Sequence, residues 1–108
     1  MDDKKLERLA VRIFYGRRRM SHSTTPKGFR QGVFDVVREC LLFEEAHPHV
    51  HPRHVWRAVS GIFRDLGPVP PVPSFWSRDS ADPFRVYRRT AVERILADLK
   101  ELIEQGGA

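Results

Sequence analysis

The chain has 108 residues, 41% of them hydrophobic and 31% charged, which is typical of one soluble globular domain with a single core. No window approaches the roughly 18 consecutive apolar residues of a membrane span, and the first residues lack the apolar run of a secretory signal, so we expect a cytoplasmic protein and no membrane partner. The 19 Lys and Arg residues exceed the 14 Asp and Glu residues, giving a net charge of +5. This basicity favours nucleic acid or an acidic protein as partner.

The first predicted helix spans about residues 3–15, because an acidic start is followed by apolar residues at helical spacing. Gly16 and the three consecutive arginines at 17–19 are expected to end it. Those cations either complement the helix dipole or form an arm that contacts phosphate. The polar residues 20–25 are then expected to form a mobile loop.

A second helix is predicted to begin at Thr25 and Pro26, a cap and first-turn pair, and to end before Pro48. Its apolar arc is wide enough to be contacted from two sides, so we expect the central helix of the core. Gly28 and Gly32 lie about one turn apart on it. They indicate either close packing of another element or irregular first turns.

The segment from His51 to Gly67 carries most of the functional argument. Pro52 suits a first helical turn and Gly67 suits the position just past a helix end, so the segment predicts a helix of about four turns. Apolar residues that include Trp56 recur at helical spacing and form its core-facing stripe. The opposite face is cationic with one small residue, and it carries Arg53, Arg57, Ser60 and Arg64. Such a helix is suited to a phosphate backbone or a groove.

Two structures compete for the residues that follow the extended, proline-rich link at 68–73. In the first, residues 74–77 and 84–89 are the two strands of a β-hairpin wing, and Thr90 opens a final helix as part of a capping box. We take this wing as the first prediction.

In the second structure, Asp82 caps one long helix that begins at Pro83. Both structures make residues 90–105 helical. A short apolar seam runs along this last helix and consists of Val92, Ile95, Leu99 and Leu102. The seam could pack on the first helix or join two protomers in a homodimer through residues 91–105.

Four histidines lie close together in the sequence, at His47, His49, His51 and His54. Imidazoles two residues apart in an extended segment point the same way, so a zinc or nickel site is geometrically possible. Solvated histidines in a proline-bounded loop are the simpler interpretation, because no cysteine pair or His-Glu-x-x-His motif accompanies them. We therefore predict no metal and no cofactor. Cys40 lies in an apolar helical run and is expected to be a buried hydrophobe.

Catalytic motifs are missing from the sequence. There is no Gly-rich phosphate-binding loop and no Gly-x-Ser-x-Gly nucleophile elbow. There is also no cysteine–histidine pair in a polar segment and no pair of carboxylates in an apolar segment. We predict that the chain is not an enzyme.

Two stretches resemble winged helix-turn-helix DNA-binding domains. The segment Pro52-Arg-His-Val-Trp-Arg-Ala-Val, continuing to Gly67, resembles their recognition helix, and Phe84-Arg-Val-Tyr-Arg-Arg-Thr90 resembles their second wing strand leading into the last helix. The resemblance implies that the cationic face of the third helix meets the major groove, with arginines of 85–89 at the backbone or minor groove. The helix that begins at Pro26 is longer than the short second helix of that family.

The candidate nucleic-acid-binding residues come from three basic segments and are Arg17, Arg18, Arg19, Arg53, Arg57, Ser60, Arg64, Arg85, Arg88 and Arg89. The expected fold is a mainly α single domain of about four helices with a winged-helix-like hairpin, and the alternative is an all-α four-helix bundle. The expected function is that of a small double-stranded DNA-binding regulator of transcription. The alternative is a helical adaptor or inhibitor that binds an acidic protein. A hairpin over residues 74–89 favours DNA, whereas one continuous helix there favours the adaptor.

Overall fold

Four α-helices make up most of the protein in a computed structural model that describes residues 3–50, 52–70 and 82–106. The helices are α1 (Asp3–His22), α2 (Pro26–Ala46), α3 (Pro52–Leu66) and α4 (Pro83–Gly106). The most extensive packing is between α1 and α2, while α4 packs on α1 and α3, and α3 also contacts α2. The described residues contain no strand and form a single, mainly helical domain, which is consistent with the all-α alternative. None of these helices combines the length and apolarity needed to cross a membrane.

The core is centred on aromatic rings from three helices. Phe14 of α1 is fully buried, and its ring centroid lies 5.9 Å from that of Phe63 in α3 and 6.1 Å from that of Phe84 in α4. Tyr87 completes the cluster at 6.3 Å from Phe14. The fully buried Phe43 brings α2 into the same core. The predicted apolar stripe of α3 is therefore confirmed as the face that packs inward.

The prediction that α1 ends near Gly16 is wrong, because the helix continues through the three arginines to His22. Gly16 is buried where α1 crosses α2, and a Cβ at this position would lie only 3.0 Å from a side chain of α2. Met20, about one turn later, is buried against Gly32. These contacts stabilise the additional turns, so the loop predicted at 20–25 is reduced to residues 23–25.

The start of α2 is the predicted one. Thr25 is the N-cap, with its Oγ1 atom accepting a hydrogen bond of 3.1 Å from the backbone N–H of Gly28. The two glycines near the start of α2, Gly28 and Gly32, have different surroundings. A Cβ at Gly28 would lie 2.6 Å from the Ser23 hydroxyl, and a Cβ at Gly32 would lie 2.7 Å from the backbone nitrogen of Met20. The close-packing interpretation is therefore correct for Gly32.

The end of α3 also follows the prediction. Gly67 adopts a φ of +78°, and its N–H donates to the carbonyl oxygen of Phe63 at 3.0 Å, as in a left-handed C-terminal cap. The Tyr87 hydroxyl donates to the carbonyl oxygen of Gly67 at 2.7 Å. This hydrogen bond joins the C-terminal end of α3 to α4.

The strand predicted at residues 84–89 is wrong, because these residues belong to the first turns of α4. Asp82 caps the helix by accepting a hydrogen bond of 2.9 Å from the N–H of Phe84. Phe84 and Tyr87 are both buried, and their three-residue spacing places them on one helical face. Thr90 is consequently inside α4 and does not cap it. The other predicted strand, at residues 74–77, lies outside the described residues.

The apolar seam of α4 is used within the chain. Ile95 and Leu99 are fully buried, and α4 packs on α1 and α3. Val92 and Leu102 are only partly buried and pack against the same core. A homodimer through residues 91–105 would thus lack exposed apolar residues at the centre of the seam.

Candidate nucleic-acid interface

The cationic face of α3 is directed to solvent. Arg53, Arg57 and Arg64 are exposed and Ser60 is half-buried. This follows from the local pattern, since the apolar residues of the helix are buried against the other helices and only the opposite face can reach water. Arg57 and Arg64 lie two turns apart, about 10 Å along the helix axis.

The acid of α3 does not neutralise this face. Asp65 is turned towards α4, where its carboxylate forms a 3.1 Å salt bridge with Arg94. Within the described ranges, neither Arg57 nor Arg64 has a salt-bridge partner. No acid of the described residues therefore competes with an external anion for these two guanidinium groups. Arg53 makes a contact within the chain, so its availability is lower.

The arginines of α1 are engaged by the protein itself. The guanidinium carbon of Arg17 lies 5.4 Å from the ring centroid of Phe63, and that of Arg18 lies 5.4 Å from the ring centroid of Phe84. Both are cation–π contacts on half-buried side chains. Arg19 forms a 2.7 Å salt bridge with Asp35 of α2. These three arginines thus connect α1 to α3, α4 and α2, respectively. A phosphate ligand would have to compete with those contacts.

The arginines of α4 lie on a helix and not on a wing. Arg88 donates a hydrogen bond of 2.9 Å to the hydroxyl of Tyr15. Arg85 and Arg89 are exposed and one turn apart, and Arg85 also contacts another group of the chain. Among the three basic segments, α3 is therefore the one that best combines a shared exposed face with arginines open to a ligand.

An exposed apolar face of α2 is a further surface that was not predicted from the sequence as a functional one. Phe34, Val37 and Leu41 are 61%, 39% and 52% exposed. A groove of about 210 Å³ beside them is lined by Val37, Cys40, Leu41, Arg53 and Trp56, and it joins α2 to the arginine face of α3. The predicted neighbours on two sides of the apolar arc of α2 are α1 and α3, and this face lies beyond both contacts.

The histidine cluster does not come together as a metal centre in the described residues, which contain no group of three or more metal-ligating side chains. His51 lies outside those residues. His47 is buried, with its ring centroid 4.9 Å from that of Phe43. Burial, with a smaller contribution from the neighbouring charges, including His49, lowers the pKa of His47. Its ring packs against that of Phe43.

Cys40 is a free, buried thiol on α2. Burial, assisted by the charge of Glu39, raises the pKa of Cys40 to about 11. The thiol is therefore protonated at neutral pH and is a poor nucleophile, as expected for a small buried hydrophobe.

Comparisons with known proteins do not indicate a function for this chain. No protein-family model matches the sequence, and neither a curated protein nor a solved structure matches it.

Proposed function

We propose that the protein binds double-stranded DNA through the arginine face of α3, as an all-helical domain. The observation that carries the proposal is the exposure of Arg57 and Arg64 without an acidic partner in the described part of the chain. Arginine suits this role because its planar fork donates two parallel hydrogen bonds to a phosphate or to the edge of guanine. An α-helix also fits the width of the major groove.

Most of the binding free energy would come from phosphate contacts. The chain carries a net charge of +5, and cationic side chains that neutralise phosphates release the counterions condensed on DNA. Ser60, between the two arginines on the same face, supplies a hydroxyl that can donate to a phosphate or to a base. The proposed complex is therefore strongly dependent on salt concentration.

A second candidate function is a protein-interaction module. It is favoured by the continuous helix α4, which replaces the predicted wing strand at residues 84–89, and by the exposed apolar face of α2. An acidic partner could combine contacts to that face with contacts to the α3 arginines.

Fluorescence anisotropy with a random-sequence duplex at several salt concentrations tests the proposal. We compare the wild type with Arg57→Gln, Arg64→Gln and the control Arg12→Gln, an α1 residue. All three substitutions lower the net charge by one. The two α3 variants should bind more weakly, with the log–log salt slope reduced by about 0.9 for each phosphate that the variant no longer neutralises. The control should keep the wild-type slope.

Equal effects of Arg12→Gln and Arg57→Gln would indicate nonspecific attraction by net charge and would remove α3 from the interface. A wild type that fails to bind duplex DNA even at low salt would refute the proposal and leave the protein-interaction module.

A further inference from the structure

One face of α2 is apolar and exposed, and it adjoins α3 along one edge, in the groove described above. Phe34, Val37 and Leu41 recur at spacings of three and four residues, so they share this face. Together they form a continuous apolar strip, and Phe34 is the most exposed large hydrophobic residue in the described ranges, at 61%. A contiguous apolar patch that is exposed to solvent often marks a site of interaction with another molecule.

The two ends of the same face carry opposite charges. Lys27 and Arg30 precede the apolar strip, and Glu44 and Glu45 follow it. The described residues provide no salt-bridge partner for any of these four side chains. The exposed Arg38 flanks the apolar strip near its centre. The face is therefore positive at its N-terminal end, apolar with one flanking cation in the middle, and negative at its C-terminal end.

We propose that this face binds the same face of a second copy of the chain, with the two α2 helices antiparallel. A two-fold axis between residues 37 and 38 places Phe34 of each copy against Leu41 of the other. The same axis places Arg30 against Glu45, because both lie about 11 Å from the axis along the helix. A single register thus satisfies the apolar and the charged pairs, and each pair forms twice.

Charge also selects the orientation. A parallel arrangement would bring Arg30 next to Arg30 and Glu45 next to Glu45, and like charges across an interface are unfavourable. The antiparallel arrangement converts both repulsions into attractions. It leaves one like-charge pair, Arg38 with Arg38 beside the axis, which a parallel arrangement would also contain. This self-complementarity is what identifies a second copy, and not an unrelated acidic protein, as the occupant.

The interface is small, so we expect a weak dimer. α2 is 21 residues long, which corresponds to about 30 Å, and only one of its faces is available. The buried area would fall at the low end of the range for stable complexes, about 600 Å² per partner. We expect a Kd of about 1 to 100 µM, because the lost translational and rotational freedom offsets much of the gain from so few apolar contacts. The dimer does not depend on the proposed DNA binding, although it would present two α3 arginine faces.

Analytical ultracentrifugation over a range of about 5 to 500 µM tests the dimer. The mass of the wild type should rise with concentration from 12.6 kDa towards twice that value. Phe34→Gln and Leu41→Gln should remain monomeric. The control Val86→Gln removes a hydrophobic side chain of α4 that is 38% exposed, and it should dimerise as the wild type does. Far-UV circular dichroism establishes that each variant is folded.

Charge reversal tests the register. Arg30→Glu and Glu45→Arg should each weaken dimerisation by about tenfold or more, since each creates a repulsion on both sides of the axis. The double variant should recover most of the wild-type affinity, because it exchanges the charges without changing the pairing. A monomer at every concentration would overturn the proposal, as would a dimer that survives Phe34→Gln. Failure of the double variant to recover would overturn the antiparallel register.

Discussion

Gly32 offers the sharpest test of the packing between α1 and α2. A Cβ at this position would lie 2.7 Å from the backbone nitrogen of Met20 and 3.1 Å from its Cα. Backbone atoms cannot move away without the helix that carries them, so Gly32→Ala requires α1 to shift by about 0.7 Å to restore ordinary contact. The shift would affect the most extensive helix pair of the fold.

The expected destabilisation is the difference between two opposing effects. Replacing glycine by alanine inside a helix stabilises by about 1 kcal/mol. Overpacking of a closely packed contact costs about 1 to 3 kcal/mol, and a gap of this size along α1 also weakens the dispersion contacts of its neighbours. These two terms leave a net loss of about 0 to 2 kcal/mol, and the weakened dispersion contacts add to it. We therefore expect Gly32→Ala to lower the free energy of unfolding by an amount in the upper half of that range, about 1 to 2 kcal/mol. The midpoint of thermal unfolding should fall by about 5 to 15 °C.

Gly61 provides a matched control. It is a half-buried residue within α3, and the nearest atom that an added Cβ would meet is a guanidinium nitrogen of Arg64 at 3.7 Å. Gly61→Ala should raise the free energy of unfolding by about 0.5 to 1 kcal/mol. Urea denaturation followed by circular dichroism gives both values. A Gly32→Ala variant as stable as the wild type, or stabilised like Gly61→Ala, would refute the close approach of the two helices.

Two further predictions concern buried groups of α2 and its C-terminal end. Because the pKa of His47 is lowered in the folded state, the unfolded chain takes up its proton first, so this residue should reduce stability as the pH falls below about 6.5. His47→Leu should flatten the fall of the unfolding midpoint as the pH drops from about 7 to 5, and an unchanged fall would contradict the assignment. The Cys40 thiol, with a pKa of about 11, should resist a maleimide in the native protein and react after unfolding. Rapid labelling of the folded chain would show that the thiol is accessible.

Local interactions made several features predictable from the sequence. The start of α2 at Thr25 and the end of α3 at Gly67 depend on a cap and on a left-handed glycine, and both act within a few residues. The exposure of the α3 arginines was predictable for a related reason. Once the apolar stripe of an amphipathic helix is known, the geometry of the helix fixes which residues face water.

Other features were decided by contacts between distant parts of the chain. Residues 84–89 carry apolar side chains compatible with a strand or a helix, and the helix is stabilised because Phe84 and Tyr87 both pack against Phe14. The sequence around Gly16 is typical of a helix end, yet α1 continues because α2 crosses at that point and the glycine allows the close approach. The apolar arc of α2 was visible in the sequence. Which part of that arc remains exposed depends on where α1 and α3 pack. Those positions are set by contacts between residues far apart in the sequence, so a local sequence pattern does not predict them.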